Sequence, residues 1–572
     1  MPHIQEPGIQ VPDHPQCEPQ KIRIIHVGVG AAGMLCIYKA RKMLTNYELV
    51  CYEKNDSVGG TWYENRYPGC ACDIPAHTYT IPFYPNPDWS GYYAYASEIQ
   101  EYFLKFYHEN NLEPYIVTNT EVISAEWDDL KAIWNVELKD RKSHKTFSDH
   151  CNILINGSGV LTKWKWPKIE GLHDFRGTLV HSANWPKEDI DLSGKRVAVI
   201  GTGSSSIQIV SSIADKVDTL SVFMRNVTYI APQFGANITN TQADPEAQDP
   251  AAAGKHSYTE KEKQRFREDP EYLQDYRTRM EKSLAAGWDM FYRGSELNLK
   301  FKEFVQHSMR ERLGNRDDLK EKIIPDWSPG CRRLTPGEGY LEALTGENVD
   351  VVWGEISHIT SHGLVPSSST GREIEVDILI CATGFDVQFL PHFKLVGLGG
   401  RIMQEQKDPN IYASIAHPGF PNYFVVNGPR GNWGQGCALP SHETQMEYII
   451  QCAKKMQEDQ IKSMFPKQNV TDQLNEYMDA WHAKHSIWSE DCKSWYKENT
   501  KDGRVYIWPG SMLHHLKFLK RPRFEHFEIE YKDPDNIFAF LGDGRTIGQV
   551  KHGADVPVPY IRNREDEVWD IE

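Results

Sequence analysis

The sequence predicts an α/β protein with two parallel, doubly wound sheets and a helical insertion. Three observations carry this. An apolar stretch running into Gly28, Gly30 and Gly33 recurs in altered form at Gly201, Gly203 and Ser206, about 170 residues later. Each run is followed, after room for one helix, by a second apolar strand. From residue 235 to about 320 that rhythm gives way to charged segments of helical periodicity.

In the stretch Lys21 to Gly33, KIRIIHVGVGAAG, the apolar residues Ile22, Ile24, Ile25 and Val27 describe a buried strand that turns sharply into a helix. Gly28 permits the turn, Gly30 lets the backbone approach a pyrophosphate, and Gly33 lets the helix pack close on the strand. The phosphates would then meet free N–H groups and the positive helix end. A lone GxGxxG says little. Here Tyr47 to Glu53 reads as the second strand, and Glu53, 20 residues past Gly33, is placed to accept ribose hydroxyls.

The loop Gly59 to Asp73, GGTWYENRYPGCACD, is too aromatic for a plain connection. Gly60, Thr61 and Trp62 suggest a wall for a flat ring system, with Asp73 a titratable group beside it. Ser97 and Gln100 have capping-box spacing, and Ile99, Tyr102, Phe103, Phe106 and Tyr107 form a helical stripe that reads as core. Glu121 to Trp127 and Ala132 to Leu138 read as an antiparallel pair, and Cys151 to Gly159 as one buried strand returning beneath a nucleotide.

The second unit opens with the strand Lys195 to Ile200 and the loop Gly201, Gly203, Ser204, Ser205, Ser206, where serine replaces the third glycine and loosens the packing slightly. The next strand, Thr219 to Met224, ends in Arg225 rather than an acid. An arginine there would pair with a 2′-phosphate, so this site reads as NADP-binding; a solvated strand-end arginine is the plainer alternative. Asp269 and Pro270 mark a helix start, and Phe301, Phe304, Val305, Met309 and Leu313 a stripe closed by Gly314. The strand Glu375 to Cys381 resumes the sheet, and glycine- and tryptophan-rich loops lie at Asn427 to Trp433 and Trp508 to Ser511.

The 572-residue chain carries 40% hydrophobic and 25% charged residues, as an ordinary globular protein does, and is long enough for several domains. A formal charge of -16 argues against nucleic-acid binding and favours small-molecule partners. Eleven cysteines without a CxxC pair or zinc spacing predict free thiols, no metal site and a cytoplasmic location. No apolar run predicts a membrane span or a signal peptide. The domains expected are a tail at 1–20, a first nucleotide-binding part at 21–165, a second unit at 166–385 with linker 166–194, and a return to the first at 386–572.

Two bound dinucleotides imply electron relay, hydride passing from a nicotinamide to a flavin and onward. A disulfide, a quinone and oxygen are the candidate acceptors; Cys70 and Cys72 are too close for the usual redox pair, so oxygen is favoured. Phe175, Gly177, His181, Trp185 and Pro186 match FxGxxxHxxxWP, and with the Gly59 to Asp73 loop the chain resembles the class B flavoprotein monooxygenases of the Baeyer–Villiger type. The resemblance runs from Gly28 through Trp508. It implies FAD and NADP(H) as cofactors and insertion of one atom of O2 beside the carbonyl of a ketone, giving esters or lactones by way of a flavin C4a-peroxide. It further implies Arg333 as the arginine that holds NADP and stabilises the peroxide, Asp73 as the acid orienting it, Arg332 with Arg225 as a clamp on the 2′-phosphate, and Trp508 as a loop tryptophan contacting NADP. His181 and Trp185 couple domain movement to catalysis in that family, although a satisfied structural histidine is the preferred reading of His181. A related oxidation of nitrogen or sulfur atoms, or NADPH oxidation without oxygen insertion, remains the alternative. Neither the ketone nor the oligomeric state is written in any local pattern.

Overall fold

The computed structural model describes residues 9–231, 256–368, 372–387 and 389–571. Two five-stranded parallel sheets dominate it. In the first, Tyr423–Val425, Ile153–Asn156, Ile22–Val27, Tyr47–Tyr52 and Ile116–Val117 lie side by side in that order. The second runs Val349–Trp353, Thr219–Met224, Arg196–Ile200, Ile378–Cys381, Thr178–His181. In both, the strand before the glycine loop is central, which is why its residues are apolar on both faces: Ile24 and Ile25 are fully buried, as are Ala198 and Val199.

Each sheet is covered differently on its two faces. On one side of the first lie the helices Ala31–Met43, Ala96–Glu109 and Leu439–Glu458. The first and last of these are tied together where the ammonium of Lys39 meets Glu443 and, at 2.7 Å, Glu447. On the other side, a four-stranded sheet made by Thr120–Asp128, Ile133–Asp140, Thr146–Cys151 and Lys394–Val396 presents Trp127, Trp134, Val136 and Leu138 to Ile25, Val27 and Leu154. The second sheet packs helix Ser204–Ile213 on one face and a small antiparallel sheet, Ile356–Ile359, Gly363–Pro366 and Ile374–Glu375, on the other. Burying one such aliphatic side chain contributes about 1.5–3 kcal/mol, so the layers stand on apolar area.

The insertion is helical where it is described, as Glu260–Glu268, Pro270–Ala285, Glu296–Arg312 and Asp317–Ile323; residues 235–255 of the expected range lie outside the described residues. Asp269 caps the second helix by accepting the N–H of Tyr272, as Asp-Pro predicts. Leu273, Tyr276 and Met280 join the core of the first sheet, whereas Val305, Met309 and Leu313 join that of the second. Phe304 points outward, 56% exposed.

Several expectations need correction. Ser97 caps nothing: the helix begins at Ala96 behind Tyr95, so Ser97 already lies inside it, and Gln100 instead donates to the carbonyl of Val58 at 2.7 Å. The strand expected from Cys151 to Gly159 divides at Asn152, where the chain leaves the four-stranded sheet for the parallel one and Asn152 exchanges hydrogen bonds with the backbone of Arg23. Glu375 to Cys381 likewise divides between two sheets. The free-thiol expectation fails for two cysteines: Cys331 and Cys492 form a disulfide across 161 residues of sequence, with their Cα atoms 6.2 Å apart. Sequence spacing could not show this, because the fold alone brings the two loops together. No helix among the described residues is long and apolar enough to cross a membrane.

Candidate active site

The first glycine loop leads into an elongated cavity of about 510 Å³. A Cβ on Gly33 would stand 2.4 Å from the carbonyl oxygen of Gly28, so only glycine lets this helix start so close to the strand. Gly30 caps the helix without any side-chain hydrogen bond, leaving its first N–H groups free toward the cavity. Gly60, held at φ +56°, faces Gly30 across the opening, and a Cβ there would meet the Cα of Gly30 at 3.0 Å. Thr61 and Trp62 continue this wall. Glu53 is buried at the cavity's edge and accepts the N–H groups of Val29 at 2.7 Å and Asn55 at 2.9 Å. Burial pushes its carboxyl up, against the pull of those two donors. Lys163, Trp164, His392, Asn427 and His442 also line the cavity. They come from four separate stretches of chain, and no spacing in the sequence marks them.

The second loop departs from the glycine pattern without loosening. Ser206 is fully buried, and its hydroxyl donates to the carbonyl of Gly201 at 2.7 Å, closing the turn from within. Gly203 caps its helix, again without a side-chain hydrogen bond. Ser204 pairs with Thr335 through their hydroxyls at 2.7 Å, and Ser205 lies against the Tyr67 hydroxyl. Arg332 reaches this loop: a Cβ on Gly203 would be 3.8 Å from its Nη2, and its Nη1 donates to the carbonyl of Val227 at 3.3 Å. Burial pulls its guanidinium below the ordinary arginine value. Arg225 lies two residues before Val227, so both cations flank one turn, but Arg225 is exposed and pairs with Glu355 at 3.2 Å.

Between the two loops lies a second cavity of about 230 Å³, sharing Trp62, Tyr79 and Asn427 with the first. Its wall carries Asp73 and Arg333, which form a two-pronged ion pair: Nε and Nη2 of the arginine donate to the two carboxylate oxygens at 2.8 and 2.9 Å. Burial pulls the Arg333 guanidinium down, yet the Asp73 carboxylate and the hydroxyl of Tyr496 outweigh it and hold the group above its ordinary value. Arg333 is therefore a fixed cation. Tyr67, Gln208, Asn432 and Trp433 also line it.

Phe175, Gly177, His181, Trp185 and Pro186 surround the edge strand Thr178–His181 of the second sheet. His181 is a satisfied structural histidine. Its Nδ1 accepts the N–H of Ala183 at 3.1 Å, its Nε2 faces the Thr383 hydroxyl at 3.2 Å, and burial holds it neutral, down at about 4. Its ring stacks on Trp164 at 4.7 Å, which joins this strand to the wall of the first cavity. A Cβ on Gly177 would sit 2.4 Å from the carbonyl of Asp377 and against the ring of Phe175, and Phe175 and Trp185 are both buried. Trp508, expected against NADP, is 2% exposed, donates to Nδ1 of His514 at 2.9 Å, packs on His515, and lines neither of the two cavities described. Trp433 is the tryptophan of that region that does.

Residues 20–237 match the family model described as flavin-binding monooxygenase-like. The chain is 39% identical over 550 residues to FAD-binding monooxygenase tazF of Aspergillus terreus, covering 95% of each. It is 38% identical over 582 residues to FAD-binding monooxygenase stcW of Emericella nidulans, covering 99% of this chain and 94% of that one. A Baeyer-Villiger monooxygenase of Pseudomonas aeruginosa is 30% identical over 502 residues, covering 85% and 88%. The fold is similar to that of cyclohexanone monooxygenase from Rhodococcus sp. Phi1 bound to NADP+, with a TM-score of 0.73 at 23% identity over 90% of this chain and 100% of that one. An oxidized steroid monooxygenase bound to NADP gives 0.71 at 24%, with the same coverage.

Proposed function

Because the chain belongs to the flavin-binding monooxygenases, we propose that it is an FAD-containing, NADPH- and O2-dependent enzyme of the Baeyer–Villiger type, converting ketones to esters or lactones. One observation carries the finer reading: a permanent cation, Arg333, clamped by Asp73, lines a cavity that shares the walls Trp62, Tyr79 and Asn427 with the cavity at the first glycine loop.

The residues present fit both cofactors. The uncapped helix starts behind Gly30 and Gly203 offer free N–H groups to two pyrophosphates, and Glu53 offers a carboxylate to a ribose. Arg332 and Arg225 flank the turn where a 2′-phosphate would lie, so this is the end that would select NADPH over NADH. When bound, FAD supplies the two-electron and oxygen chemistry, with NADPH as the hydride source.

The chain's own part is electrostatic. Arg333 keeps its proton at any working pH and so stabilises negative charge that develops on oxygen in the second cavity; a lysine could lose its proton there. Asp73 sets the plane of the guanidinium, and the Tyr496 side chain is hydrogen-bonded to it as well. Trp62, Tyr79 and Trp433 enclose the space and exclude water, which would divert the reaction to hydrogen peroxide.

Purified protein should be incubated with FAD, NADPH, air and a panel of linear, cyclic and polycyclic ketones, alongside amines and thioethers. Ester from at least one ketone is expected. Oxidation of amines or thioethers with no ester, or NADPH-dependent peroxide alone, would refute the reading. The Arg333→Ala variant is expected to yield no ester, and normal ester formation by it would remove the role assigned to that residue.

A further inference from the structure

Asp73 does not hold Arg333 alone. The turn Ser328 to Arg333 lies against a segment from much later in the chain, 488–497, through several independent contacts. The carboxylate of Glu490 accepts both the N–H and the hydroxyl of Ser328 at 2.7 Å. The indole N–H of Trp488 donates to the carbonyl of Gly330 at 3.0 Å. Cys492 is bonded to Cys331, and four residues on, Tyr496 meets the guanidinium of Arg333. The ammonium of Lys497 folds back on the carbonyl of Glu490 at 2.6 Å. Gly330 has φ +95°, and a Cβ on it would meet Ile487 and Phe291 at 3.1 Å, so the turn has no slack. Both cysteines are enclosed, at 0% and 1% exposure.

We propose that the Cys331–Cys492 disulfide is a positioning element for Arg333, locking the 328–333 turn onto the 488–497 segment so that the guanidinium keeps its contact with the Tyr496 hydroxyl and its place in the second cavity. The inference rests on the role given to Arg333 above. The disulfide touches no reacting atom and carries no charge; it acts by fixing the distance between two loops. The remaining contacts between the two segments are hydrogen bonds of modest net worth, and the covalent bond adds to them a fixed separation of the backbones that carry Arg333 and Tyr496. A displacement of about 1 Å at such a site costs on the order of 100-fold in rate. Reduction by a dithiol would deliver two electrons and two protons, break the S–S bond to give the Cys331 and Cys492 thiols, and leave the dithiol as its own disulfide.

The test uses three forms of the holoenzyme: as purified, reduced with excess dithiothreitol, and the Cys331→Ser/Cys492→Ser variant, which does not depend on a reductant reaching an enclosed bond. Mass spectrometry after alkylation counts the thiols. FAD content per chain, the NADP+ dissociation constant and peroxide released per NADPH are then compared. Reduced and substituted forms are expected to keep FAD, to bind NADP+ about tenfold more weakly, and to release more peroxide. An NADP+ constant the same in all three forms overturns the proposal. So does a loss confined to FAD content and melting temperature, which is what a merely structural bond would give, or two free thiols in a fully competent enzyme as purified. If no ketone yields ester, the proposed reaction fails, while the NADP+ comparison still decides this inference.

Discussion

Asp73→Asn keeps the shape of the side chain and removes its charge, which isolates what the carboxylate does for Arg333. In the native pair both oxygens accept, from Nε and Nη2, at 2.8 and 2.9 Å. Asparagine offers one carbonyl oxygen, and its amide N–H groups face the guanidinium donor against donor. A hydrogen bond to a charged group is worth about 1.5–3 kcal/mol. With the two side chains 26% and 24% exposed, solvent screens part of this, and a loss of about 2 kcal/mol is expected. At about 1.4 kcal/mol per factor of ten, that is about 30-fold in kcat/KM for ester formation. The arginine charge itself survives, so flavin reduction by NADPH should suffer less. Stopped-flow reduction and quantified ester and peroxide separate the two effects. Ester formation by Asp73→Asn within about twofold of wild type would refute the claim that Asp73 orients Arg333.

Arg225→Ala removes an exposed cation paired with Glu355 and should raise KM for NADPH about tenfold while leaving KM for NADH nearly unchanged; equal effects on both would show that Arg225 does not meet the 2′-phosphate. Trp508→Phe removes a buried indole and its bond to His514, so a melting temperature lowered by about 2–4 °C is expected with NADP+ affinity retained. A weakened NADP+ affinity at unchanged stability would return Trp508 to the cofactor site. Stability should also fall with acid before most carboxylates titrate. Burial lowers His26, His181 and His442 to about 4 and His77, His417, His482 and His515 to about 3. Below an unfolded value of about 6.5 the unfolded chain binds protons that the native one refuses, so stability is full above that pH and is lost toward pH 4, by up to about 1.4 kcal/mol per histidine per pH unit. Calorimetry from pH 7.5 to 5 checks this, and a flat profile would show that these histidines are not neutral in the folded protein.

The sequence by itself determined the two glycine turns, the strands leading into them, Glu53, the helix start at Asp269 and, through resemblance, Asp73 and Arg333. These are local: a turn that only glycine can make or a strand buried on both faces constrains residue type at fixed spacing. Only the tertiary structure decided that Asp73 meets Arg333 across 260 positions, that Cys331 bonds Cys492, that Tyr496 packs behind Arg333, that Trp433 lines the second cavity while Trp508 does not, and that Ser206 closes its own turn. Such pairings depend on how separate layers settle against each other, and burial makes an aromatic or a cysteine look the same in the chain whichever wall it faces.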